Sequence, residues 1–83
     1  MHCFIYKSSS KAGTYVFLRE RDATQLLPRE LALTLGELVF VMELELTPER
    51  RLARIDAATL RTALAERGFH IQLPPGEWRH NGD

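Results

Sequence analysis

The sequence predicts an α+β fold, a small α/β sandwich in which about four mainly antiparallel strands carry two helices. Three observations lead there. Short runs concentrate or alternate apolar, aromatic and β-branched residues over strand lengths. Two other stretches space apolar residues at helical intervals between a start signal and a glycine. The length is 83 residues, 45% of them hydrophobic, which suits one core and one domain. The predicted order is β-β-α-β-α-β, with a single domain over residues 1–75 and a flexible tail over 76–83.

Residues 2–7 read as the first strand, with Cys3, Phe4, Ile5 and Tyr6 as its packing residues. Residues 8–13 form a polar loop ending at Gly13, and residues 14–20 form the second strand. A connection that short joins antiparallel strands, because a parallel crossover needs a dozen residues or more. Residues 21–24 turn out of this hairpin. Pro28 and Glu30 mark a helix start, since proline loses nothing at the first helical position and a carboxylate complements the dipole there. Leu27, Leu31 and Leu35 fall four apart and form its apolar stripe, and Gly36 is its stop.

Residues 38–46 read as the third strand. Simple alternation places Leu38, Phe40, Met42, Leu44 and Leu46 on one face and Val39, Val41, Glu43 and Glu45 on the other. Its first half is apolar on both faces, so its start is expected to be buried on both sides and its end to emerge into water. The sequence does not decide whether both helices lie on one face of the sheet, although apolar content on both faces near Phe40 leans toward helices on both sides. Residues 47–52 suit either one capped helical turn or a plain turn. Asp56 then caps the clearest helix, residues 57–67, whose inward stripe is Ala57, Leu60, Ala63 and Leu64. Gly68 ends it. Phe69, Ile71 and Leu73 alternate with His70 and Gln72 along a last strand that the Pro74-Pro75 pair terminates.

Eleven basic and eleven acidic residues sum to zero, which argues against a dedicated nucleic-acid binder and against a polybasic membrane anchor. The single cysteine, Cys3, rules out an internal disulfide framework and suits a reducing compartment. The N-terminus has no basic segment ahead of a long apolar run, and no stretch approaches the roughly 20 apolar residues that span a bilayer. The expected location is cytoplasmic, with no membrane partner.

The run Cys3, Ile5-Tyr6-Lys7-Ser8-Ser9, then Thr14-Tyr15, Leu27-Pro28, Glu30-Leu31, Gly36, Leu52-Ala53, Asp56 and Gly68-Phe69-His70-Ile71-Gln72-Leu73-Pro74-Pro75 resembles the YcgL-domain family of small bacterial proteins. The resemblance covers about residues 1 to 75, and Gln72-Leu73-Pro74-Pro75 is its most specific part. Phe69-His70 departs from the family pattern, in which an aromatic pair or Tyr-Leu is more usual. The resemblance implies a compact sandwich of helix and sheet and no particular activity. Genes of the family often neighbour one for ribonuclease D, which implies a link to RNA turnover.

Candidate chemistry is sparse. His2, Cys3, His70 and His80 are the imidazole and thiol ligands available, but they lack the close paired spacing of zinc sites. A Cys3 thiolate would need a base, and His70 qualifies only if the first and last strands are neighbours. Lys7-Ser8-Ser9-Ser10-Lys11-Ala12-Gly13-Thr14 has the residue types of a phosphate loop without the spacing or the following helix. Arg50, Arg51, Arg54 and Arg61 form a basic cluster, and Tyr6, Tyr15 and Trp78 are the aromatics that stacking on RNA would use. Glu43 and Glu45 mark an exposed half-strand rather than a carboxylate pair for catalysis. No catalytic, cofactor or metal residues are assigned and no cofactor is expected.

The expected function is a non-enzymatic interaction module with a protein partner, linked to RNA turnover, with RNA itself as a further partner. The alternative is a small enzyme or ligand binder using a groove near Tyr6, Tyr15 and His70. In both readings the working surface is Tyr6, Lys7, Tyr15, His70 and Gln72, brought together if strands one, two and four are neighbours. An enzyme needs a concave pocket with convergent polar groups, whereas an adaptor needs an apolar patch or an uncovered sheet edge.

Overall fold

The computed structural model describes residues 1–47, 49, 52 and 55–74. The strands are β1 (His2–Ser8), β2 (Tyr15–Leu18), β3 (Leu38–Glu45) and β4 (Phe69–Gln72), and the helices are α1 (Arg29–Leu35) and α2 (Ala57–Glu66). A single 3-10 turn, Thr24–Leu26, leads into α1. The four strands form one antiparallel sheet in the order β3-β1-β2-β4, so β1 and β2 are central and β3 and β4 are edges. This is the α+β architecture expected from the alternating segments, and the order of elements follows the sequence reading.

Local chemistry sets the ends of the helices. Pro28 stands just outside α1 as its cap residue, one position earlier than expected, and Gly36 follows α1 with φ 71°, a left-handed backbone that glycine adopts without a Cβ clash. Asp56 caps α2 by accepting the Thr59 N–H at 2.7 Å, and it also accepts the Thr59 hydroxyl at 3.1 Å. Those bonds to the ionised form hold the Asp56 carboxyl below its usual range. Gly68 has φ 89°, and a Cβ there would sit 2.7 Å from Leu26 Cδ1. It must be glycine for both reasons, backbone and space. Arg19, at the end of β2, donates to the Leu64 and Ala65 carbonyls at 3.1 and 3.3 Å and so satisfies the open end of α2.

The two helices lie on opposite faces of the sheet, and each has its own core. On one face Leu60 and Leu64 of α2 pack with Cys3, Ile5, Phe17, Leu44 and Leu46. On the other, Leu35 of α1 and Leu27 just before it pack with Tyr6, Val16 and Leu18, with Leu31, Leu38, Phe69 and Ile71 half-buried around them. Alternation along β1 and β2 produces this division, since neighbouring strand residues point to opposite faces. Each fully buried leucine contributes roughly 1.5–3 kcal/mol, so two small cores take the place of one large one.

The third strand departs from its sequence reading. Its first half is not buried on both sides: Val39, Phe40, Val41 and Met42 are 36–45% exposed, while Leu44 is buried. The cause is its position at the sheet edge, where the helices cover the central strands and reach only Leu38 and Leu44 of β3. Simple alternation also fails. Ile5 pairs with Met42 and Tyr6 pairs with Phe40, so Val41 is an extra residue in a β-bulge. Met42 and Leu44 therefore share the α2 face, whereas Phe40 and Leu38 lie on the α1 face with Tyr6 and Ser8.

Candidate interaction surface

Strands one, two and four are neighbours, and their registers settle where the five nominated residues fall. Lys7 pairs with Tyr15, which pairs with Gln72, and Val39 of β3 extends that row on the far side of Lys7. The next row on the same face is Met42, Ile5, Phe17 and His70. Lys7, Tyr15, His70 and Gln72 thus share the α2 face, with Tyr15 beside Gln72 and His70, while Lys7 lies two strands away from those two. Lys7 is exposed, and the other three are half-buried.

Tyr6 does not belong to this group. It is 3% exposed and lies on the α1 face. Its hydroxyl accepts the Asp22 N–H at 2.7 Å and donates to Asp22 Oδ1 at 3.0 Å. Burial raises the pKa of this phenol, and the Asp22 carboxylate beside it adds to the rise. Tyr6 therefore pins a turn in which Asp22 holds φ 60°, an unusual backbone for a residue with a side chain. It is neither a groove residue nor a platform for stacking a base. Adjacent residues on a strand cannot share a face, so a surface containing both Tyr6 and Lys7 was excluded by alternation alone.

His70 lies at the far edge, its ring 6.0 Å from that of Phe17. Burial lowers its pKa below the usual 6.5, and the Arg67 charge adds to the shift. Neutral imidazole is a competent base, yet the Cys3 thiol does not face it. Cys3 is fully buried among the residues packed under α2, and β2 separates its strand from β4. Two strand spacings, about 9.6 Å, are too far for proton transfer between side chains. An open groove of about 320 Å³ runs beside His70, lined by Thr59, Thr62, Ala63, Glu66 and Arg67.

The serine-rich loop is occupied by the fold itself. Ser8 is buried; its hydroxyl donates to the Leu35 carbonyl and accepts the Ser10 and Lys11 N–H groups. The Ser8, Ser9 and Thr14 amides bind the Thr14, Glu37 and Lys11 carbonyls. The loop thus closes the carboxyl end of α1, the negative end of its dipole, which is the wrong end for a phosphate. Among the described residues no group of three or more metal-ligating side chains converges. Of the arginine cluster, Arg61 is exposed on α2; Arg50, Arg51 and Arg54 lie outside the described residues, as do Trp78, His80 and the expected tail. No helix of the described residues is long and apolar enough to cross a membrane.

The feature that was not nominated is the outer edge of β3. Val39, Phe40, Val41 and Met42 are four consecutive apolar residues, all exposed, on a strand that has no partner on its outer side among the described residues. Residues 37–46 contain no lysine or arginine, the residues that commonly guard such an edge. Arg21 approaches from outside the strand, with its guanidinium 4.1 Å from the Phe40 ring centre, and Tyr6 meets the same ring edge-on at 5.5 Å. Toward the other end His2 Nδ1 lies 2.8 Å from Glu43 Oε2, on the α1 face. The signal in the sequence was the apolar run itself, but a buried central strand and an exposed edge have the same composition.

The family model described as YcgL domain matches residues 3–75. The chain is 50% identical over 74 residues to a YcgL domain-containing protein of Xanthomonas euvesicatoria and 47% identical over 74 residues to one of Xanthomonas campestris, covering 89% of this chain and 86% of each relative. It is 44% identical over 75 residues to a YcgL domain-containing protein of Stenotrophomonas maltophilia, covering 90% of this chain and 87% of the relative.

Proposed function

The chain belongs to the YcgL domain family, and on that premise we propose that it is a non-enzymatic, cytoplasmic interaction module whose open β3 edge takes up an extended segment of a protein partner. One observation carries the reading: four consecutive apolar residues stand exposed on an edge strand whose outer side pairs with no other strand among the described residues. An added strand satisfies the outward backbone groups and covers Val39, Val41 and Met42 at the same time. The RNA-turnover link implied by the family resemblance makes the proteins of that machinery the first partners to seek.

The test is a pull-down with the whole chain as bait, with and without nuclease, beside the variants Val39→Lys and Val41→Lys. Both changes fall on exposed positions, so circular dichroism should show an unchanged fold. The expected result is a protein retained by the wild type, insensitive to nuclease, and lost from both variants. Equal retention by wild type and variants would refute the edge, and loss on nuclease treatment would transfer the role to RNA. The groove between α2 and β4 favours a second reading, a small-ligand binder using His70 and Arg67. In that case variants on β3 would change nothing.

A further inference from the structure

We infer that the segment taken up by β3 is a basic one, alternating apolar residues with lysine or arginine. This deepens the edge reading and rests on it. The register fixes what an incoming strand would meet. Beyond the bulge, Met42 and Leu44 point to the α2 face, while Glu43 and Glu45 point to the α1 face. A strand laid against this half places its residues alternately beside apolar side chains and beside carboxylates, since cross-strand neighbours share a face. Glu37 precedes the strand at its other end, so the apolar stretch is flanked by acid on both sides, and residues 37–46 carry no cation.

The same carboxylates disfavour two of the registers in which a second copy of this chain could pair. An antiparallel self-pairing centred on Phe40 sets Glu37 opposite Glu43 twice, and one centred on Val41 sets Glu37 opposite Glu45 twice. Like charges directly opposite are destabilising. His2 at Glu43 and the Arg21 guanidinium over Phe40 already place nitrogen-bearing side chains of the chain itself against this edge. A lysine or arginine from the partner would join an arrangement that the chain itself begins.

Two blocked nine-residue peptides test this, one alternating valine with lysine and one alternating valine with glutamate. Each is titrated into the whole chain and followed through its backbone amide resonances. The lysine peptide is expected to shift the amides of residues 39–45, to bind at least about tenfold tighter than the glutamate peptide, and to weaken as salt rises. The double variant Glu43→Gln, Glu45→Gln should erase the preference, whereas Val39→Lys should lose both peptides. Equal binding of the two peptides, shifts confined to α2 and β4, or a dimer that forms with rising concentration and excludes the peptides would each overturn the inference. The pull-down separates the two levels. Retention that depends on Val41 but not on Glu43 and Glu45 leaves the edge standing and removes its basic partner. Retention indifferent to Val41 removes both.

Discussion

Leu60 and Leu33 allow burial to be measured with chemistry held constant. Both are leucines in helices, so substitution by alanine changes intrinsic helix propensity equally. Leu60 is fully buried in the core between α2 and the sheet, whereas Leu33 of α1 is 72% exposed. Leu60→Ala removes three carbon atoms from a site enclosed by Cys3, Ile5, Phe17, Leu44 and Leu64, at a cost of about 2–5 kcal/mol. A domain of 83 residues has a total stability of roughly 4–12 kcal/mol. The single change thus takes a large share of it, and the melting temperature should fall by at least about 8 °C. Leu33→Ala should stay within about 0.5 kcal/mol of the wild type. Thermal unfolding followed by circular dichroism measures both. Similar shifts for the two variants would mean that α2 is not seated on the sheet as described.

Tyr6→Phe keeps the ring and removes the two hydrogen bonds to Asp22, so it should cost about 1–3 kcal/mol. Because burial raises the Tyr6 pKa in the fold, the wild-type stability from this group is complete below pH 10.0 and is lost as pH rises beyond it; the variant should lack that alkaline decline, and an unchanged alkaline limb would count against the buried pair. His70 has the opposite sign. Its folded pKa lies below 6.5, so its contribution is present above pH 6.5 and is lost as pH falls from there through the folded value. Denaturant melts across that window should show a shallower acid decline for His70→Gln than for the wild type, and parallel profiles would remove His70 from its half-buried place.

Much of the fold was legible because local signals agreed with one another. Asp56, the stripe of Ala57, Leu60, Ala63 and Leu64, and Gly68 mark the start, face and end of α2 independently, and the structure places each in that role. The hairpin followed from a loop too short for any other pairing. Sheet order was not legible: an apolar run such as residues 38–42 satisfies a central strand and an edge strand equally, and only the pairing of β3 with β1 alone distinguishes them. The bulge at Val41 adds a second obstacle, since one extra residue exchanges the two faces without any signature in composition. Four of the five nominated surface residues share a face because their alternation and strand order agree. Tyr6 was grouped with them by chemistry, and the parity of the strand overrules chemistry.

The open edge of β3 is what the functional reading stands on, and amide hydrogen exchange on the free chain tests it most directly. Fast exchange, independent of protein concentration, is expected at the alternate β3 amides that do not reach β1, beside slow exchange throughout β1. Uniformly slow exchange along β3 would show that its outer side is already covered, and the proposed docking edge would not exist.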